Sequence, residues 1–428
     1  MRVLALGLAA VVLVPAASAA WKPLTPPTLS NHADPAVLRV KGGVLVAYDV
    51  EPGGSVAVID AKGATHTVVS GYAAVSDPQL VQKPDGTIYL YFGGSTPDLK
   101  TAGALRFTST DNGVSWSGPV KTNPSSRIGD VQASALRRDG TPMFSQDGTG
   151  FVNVYQGDNG ETLNNDFTLC CGYYESLAVE SSGQAQLAFW SNATGKSGYL
   201  YELLNDAGGA AGQPVDLSAG TDAQALPAIN RVPLLSDGAG NTFMAWPGQR
   251  HVTIAALGAG KLRRKFAIRT SAPPAQVALA VEPDGGKLWV VWTQSGGLYG
   301  TRLRDAAHAA APVVVTARLP KPSVPYALEA VGLTGTVRAV ANLSAGGANA
   351  LYSTSLLPGL AVKVVHVKNK AFARVRDDIA PLKGATLRSG KQVVHTNAKG
   401  LAPLKVFKHH AGVRVTKAGY VGASFRVP

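Results

Sequence analysis

Short apolar runs recur along most of the chain, each closed by a Gly-containing turn and followed by a second apolar run. Pro78-Gln79-Leu80-Val81-Gln82-Lys83-Pro84-Asp85-Gly86 leads into Thr87-Ile88-Tyr89-Leu90-Tyr91-Phe92. Val277-Ala278-Leu279-Ala280-Val281-Glu282-Pro283-Asp284-Gly285 leads, one residue on, into Lys287-Leu288-Trp289-Val290-Val291-Trp292. Both pairs share a Pro-Asp-Gly turn, in which Asp bonds backbone amides and Gly accepts positive φ. Both also share an aromatic-rich second strand. Weaker copies begin near Asp34, Asp130, Glu175, Leu226 and Glu329. Seven units result, spaced by about 45 to 55 residues, a period that signals a propeller or an array. Segments with helical periodicity are nearly absent. About four short strands per unit fit a propeller blade, so the pattern predicts an all-β chain.

The ends depart from this pattern. Arg2 precedes an apolar run from Val3 to Val14, then Pro15 and Ala17-Ser18-Ala19. That order reads as a secretory signal over residues 1–20, and the run is too short for a permanent membrane span. At the other end, charge changes the picture. The chain carries a net charge of +13, and from Val362 onward there are 14 Lys and Arg against two acids, Asp377 and Asp378. Residues 21 to 361 are therefore close to neutral, and the contrast predicts two domains, divided as 21–365 and 370–428.

Ser109-Thr110-Asp111-Asn112-Gly113-Val114-Ser115-Trp116 has the form Ser-x-Asp-x-Gly-x-Ser-Trp between two strand-like stretches. It resembles the Asp-box, the hairpin signature of sialidase-like β-propellers. Such domains usually have six blades and the repeats number seven, so six or seven blades are expected. In the basic tail, Gly384-Ala385-Thr386-Leu387, Thr396-Asn397-Ala398-Lys399-Gly400 and Ala418-Gly419-Tyr420 follow in order. This order is similar to immunoglobulin-like or carboxypeptidase-regulatory-like modules and implies a small C-terminal β-sandwich. Its positive charge suits a tether to polyanions, or simply a solvated stability module.

Candidate chemistry sits where inner strands begin, because these line a propeller's central channel. Asp34, Asp77, Asp130, Glu175 and Glu329 hold that place in five units, and Gln276 in a sixth. Such a ring could bind sugar hydroxyls or supply an acid–base pair; each acid could equally cap a turn. The sialidase resemblance implies three arginines, a Tyr-Glu pair and an Asp acid. The early Arg-Ile-Pro motif of that family is missing, and Asp34 stands where its arginine would be. Weak catalytic candidates are Tyr174, Glu175, Asp77 and Asp130. Cys170 and Cys171 are adjacent and are the only cysteines; in an exported chain they form a vicinal disulfide or remain two buried thiols. The sequence holds no phosphate loop, nucleophile elbow or zinc motif, so no metal and no cofactor is expected.

Two functions remain open. One is a non-catalytic propeller, secreted or cell-wall associated, that binds extracellular carbohydrate or an anionic cell-surface polymer. The other is a glycoside hydrolase of the exo-sialidase type. A monomer is expected, with no nucleic acid and no membrane span.

Overall fold

Apolar strands that must bury both faces need neighbours on both sides, and this chain supplies them by repetition. A computed structural model describes residues 20–28, 35–50, 53–122, 131–148, 151–158, 161–164, 172–193, 198–205, 211–224, 231–237, 239–283, 287–303, 314–320, 324–368, 370–377 and 380–428. The described residues contain strands, turns and no helix. Seven four-stranded antiparallel sheets follow one another, six of them built from four consecutive strands. Their first strands are Ala36–Val40, Ala74–Gln82, Val131–Leu136, Gly172–Val179, Leu234–Ser236, Val277–Val281 and Val324–Leu333.

Burial falls from the second strand to the fourth. In the second sheet Ile88–Ser95 is buried throughout, whereas Ser117–Lys121 is exposed throughout. Aromatic residues of the second and third strands carry packing between sheets. Tyr91 stacks on Phe144 of the third sheet at 5.1 Å between centroids, and Tyr199 of the fourth stacks on Trp246 of the fifth at 5.8 Å. Trp246, Trp289 and Trp292 are fully buried.

Each pair of neighbouring sheets shares its own hydrophobic cluster. The series runs from the first and second sheets to the sixth and seventh. A further cluster joins Val44, Val46 and Tyr48 of the first sheet to Val331, Val340 and Leu351 of the seventh, so the series closes on itself. The seventh sheet is completed from the far end of the chain. Lys22–Pro23 pairs with Ala348–Leu356, and Leu351 N–H donates to Thr25 Oγ1 at 3.0 Å. Two residues have no hydrophobic period, which is why the sequence pattern does not show this strand.

The repeated turns obey one hydrogen-bond plan. Lys83 N–H donates to Thr87 O and Arg137 N–H to Thr141 O. Thr87 and Thr141 N–H in turn donate to Asp85 and Asp139. The Ser109–Trp116 segment closes the last hairpin of the second sheet. Val114 and Ser115 N–H and the Ser115 hydroxyl all donate to the Asp111 carboxylate, and these bonds, led by the hydroxyl, pull its pKa to about 2. Asn112 and Gly113 take positive φ of 58° and 86°. Trp116 is half-buried, packs against the cluster between the first two sheets and donates to Gly113 O at 3.1 Å.

Residues from Ala361 onward form two further sheets. One orders Ala361–Val367, Lys370–Arg376 and Leu401–Pro403; the other orders Gln392–His395, Thr386–Ser389, Gly412–Thr416 and Ala423–Arg426. They share one cluster containing Val375, Ala385, Leu387, Ala402 and Val415. The Thr396–Gly400 segment is a turn in which Lys399 and Leu401 N–H donate to Asn397 Oδ1. Ala361–Val367 pairs with Lys370–Arg376, so these sheets begin before the residue-370 boundary expected from charge.

A buried ionic cluster joins them to the ring. Arg302 is 3% exposed and bonds Asp377 at 2.7 Å and Glu282 at 3.3 Å. Tyr420 O–H donates to Asp377, and Trp289 Nε1 donates to Glu282.

Candidate functional site

The first strands line a central cavity of about 240 Å3, to which all seven sheets contribute. At the end where these strands begin, four of them break register with their second strands. The breaks fall between Ser76 and Gln79, Val131 and Ala133, Tyr173 and Ser176, and Pro325 and Ala327. Each is a β-bulge, which frees residues from the ladder and re-aims their side chains. The residues so released are Asp77 with Pro78, Gln132, Tyr174 with Glu175, and Tyr326.

These positions are bonded around the mouth in neighbouring pairs. Gln132 Nε2 donates to Asp77 Oδ2 at 3.0 Å, joining the second and third sheets. Val232 N–H donates to Tyr174 O at 2.9 Å, joining the fourth and fifth. Gln276 is fully buried and its Nε2 donates to the carbonyls of Pro325 and Tyr326, joining the sixth and seventh. Gln276 thus caps backbone rather than facing a ligand. Tyr174 holds φ of 60°, an unusual conformation for a large side chain.

Deeper in the cavity, Arg231 bonds Glu329 at 3.4 Å. Arg231 precedes the first strand of the fifth sheet and Glu329 lies on that of the seventh, so the pair reaches past the sixth. Burial pushes the Glu329 pKa up, and the Arg231 guanidinium opposes that shift. Arg231 is the one guanidinium among the described residues lining the cavity.

The expected residues therefore divide. Asp77 and Tyr174 stand at the mouth, partly exposed. Glu175 shares the same bulge but is fully buried. Glu329 lies well inside Val324–Leu333 rather than at its start, because that strand begins earlier than the acid suggested. Asp34, Asp130, Cys170 and Cys171 lie outside the described residues, as does the leader sequence through residue 19. Sequence reasoning did not pick out Gln132 or Tyr326, nor pair Arg231 with Glu329. Their bulges and the 98-residue separation of the pair have no local sequence signature. Among the described residues, no group of His, Cys, Asp and Glu could hold a metal ion.

No known family model matches the chain, and no curated protein matches it. Among solved structures, virginiamycin B lyase from Staphylococcus aureus superposes with a TM-score of 0.53 at 12% identity, over 79% of this chain and 99% of the lyase. The fold is that of a β-propeller. A streptogramin B lyase structure gives a TM-score of 0.50 at 12% identity, over 79% of this chain and 98% of that one. At such identities the likeness concerns the propeller architecture alone. No helix among the described residues is long and apolar enough to cross a membrane.

Proposed function

We propose that this chain is an exported, non-catalytic, sialidase-like propeller with seven blades, whose channel mouth binds an extracellular glycan. Residues 361–428 would be its accessory β-sandwich. The observation that carries the reading is the set of bulges at one end of the channel. They release a carboxylate (Asp77), an amide (Gln132) and two tyrosines (Tyr174 and Tyr326) from the ladder, each within a few residues of the positions that line one cavity. A few convergent polar groups with aromatic faces over a concave site suit sugar hydroxyls and the apolar faces of sugar rings. Tyr326 is 42% exposed, so its ring is open to contact. The closed series of seven clusters supports seven blades.

The test is a glycan array probed with the full mature chain and with the double variant Asp77→Ala/Tyr326→Ala. The wild type is expected to bind a subset of glycans and the variant to lose them with its melting temperature kept. Binding that survives in the variant would remove the mouth as the site. A fluorogenic sialoside assay runs beside it. Turnover that disappears in Tyr174→Phe would replace this reading with the exo-sialidase one.

A further inference from the structure

The four-stranded C-terminal sheet has an outer face with an unusual charge arrangement. Opposed residues of antiparallel strands share a face. Arg388 is opposite Arg414, Arg414 is opposite Ser424, and Gly412 is opposite Arg426. On the same face Thr386 lies between His395 and Thr416. Arg388, Arg414 and Arg426 are all exposed. The inward residues Leu387, Val413 and Val415 are buried, so the arginines are held on a fixed scaffold.

Like charges directly opposite on a sheet destabilise it, and among the described residues no acid pairs with Arg388, Arg414 or Arg426. Residues 380–428 contain nine Lys and Arg and no Asp or Glu. The nearby Asp377 is already bound to Arg302 and Tyr420. Water and salt screen these exposed charges in part, and a bound polyanion would neutralise them more fully.

We propose that this face is a docking surface for a linear acidic polysaccharide. Adjacent strands set Arg388 and Arg414 about 5 Å apart at Cβ, on the scale of one sugar unit. A guanidinium fork binds a carboxylate in two-point geometry. Ser424 lies opposite Arg414, the row beside Arg388 and Arg414 holds His395, Thr386 and Thr416, polar groups suited to sugar hydroxyls, and exposed Val393 lies opposite Arg388. The face carries no Phe, Tyr or Trp, and its one ring is the His395 imidazole at the edge strand. A single-stranded nucleic acid would be expected to meet stacking platforms, which favours the polysaccharide. The surface is separate from the channel mouth, and the inference does not depend on what binds there.

The test uses the full mature chain and immobilised polygalacturonate, with neutral galactan and a single-stranded DNA oligonucleotide as comparators. The triple variant R388Q/R414Q/R426Q is set against K399Q/K405Q/K408Q, which removes the same charge from exposed sites off this face. The arginine triple should lose about tenfold or more in affinity, and the lysine triple less than about threefold, since general attraction is spread over the domain. Equal losses in the two triples would reduce the site to unspecific charge. Tighter binding of DNA than of polygalacturonate, or polygalacturonate bound no better than galactan, would overturn the proposal.

Discussion

The propeller ring and the C-terminal sheets treat charge in opposite ways. The ring is close to neutral and turns its buried charges toward partners, as in Arg231 with Glu329 and Arg302 with Glu282. The C-terminal sheets bury little charge and set their cations outward, opposite one another. The ring closes through seven apolar interfaces, so charge there matters only where it is buried. The C-terminal sheets have one cluster and set like charges opposite one another on an exposed face, the arrangement on which the proposed anionic ligand rests. Arg302 lies at the seam, a ring residue paired with an acid from the far side.

Removing Arg302 is the strongest way to break this contrast. In Arg302→Met, Glu282 and Asp377 are left buried without their shared cation, and breaking a buried pair in this way costs about 3 to 5 kcal/mol. Urea unfolding should show that loss, together with a separate early transition of the C-terminal sheets. A variant that unfolds in one step at the wild-type midpoint would mean that the seam is not held by Arg302.

Among the described residues the ring has an apparent exception to this rule in Glu202. Glu202 is 2% exposed, and neither carboxyl oxygen has a hydrogen-bond partner among the described residues. It shares a strand face with Leu200 and Leu204, which pack toward the third sheet. Burial pushes its pKa up to about 7 from 4.5. Below pH 4.5 the group is protonated whether the chain is folded or not, so it costs nothing there. Between about pH 4.5 and 7 only the unfolded chain releases the proton, and stability falls as pH rises. Glu202→Gln should match wild type at pH 4 and exceed it at pH 8 by about 2 to 3 kcal/mol. Equal stability at pH 8 would show that the carboxylate is solvated or paired after all.

A smaller effect belongs to the hairpin turn of the second sheet. Trp116 is only half-buried, so Trp116→Ala should cost about 2 kcal/mol, less than for a fully buried ring. Thermal unfolding reads this directly; an unchanged melting temperature would show that the turn is held by Asp111 alone.

These residues also mark what the sequence could and could not disclose. The turn plan was legible because it is local: Asp, Gly and a following Thr lie within a few positions, and the structure uses them as their chemistry suggests. The strands were legible because second strands such as Ile88–Ser95 open on an unbroken apolar and aromatic run, here Ile88 to Phe92. Sheet boundaries were less so. Leu226, the expected start of one unit, lies outside the described residues, and the first described strand of that sheet, Leu234–Ser236, is too short to impose a period. The site was the least legible part. A bulge depends on the register of two strands, and Arg231 meets Glu329 only after the ring has closed.

The smallest effect tests the outward half of the contrast. If Arg388 and Arg414 repel across their strands, Arg388→Thr should stabilise the protein in the absence of ligand, by a few tenths of a kcal/mol. Thr keeps strand propensity, so the gain reports relief of repulsion rather than a change in backbone preference. The gain should shrink as salt is raised, because at about 1 M the Debye length is only about 3 Å, shorter than the separation of the two charges. Differential scanning fluorimetry at low and high salt, on wild type and variant side by side, resolves the difference. A gain that persists at high salt would be a packing effect, and the arginines would then need no external anion to explain them. A gain confined to low salt, coupled with weaker binding to polygalacturonate, would mean that the sheet keeps a small instability because the same two charges hold its ligand.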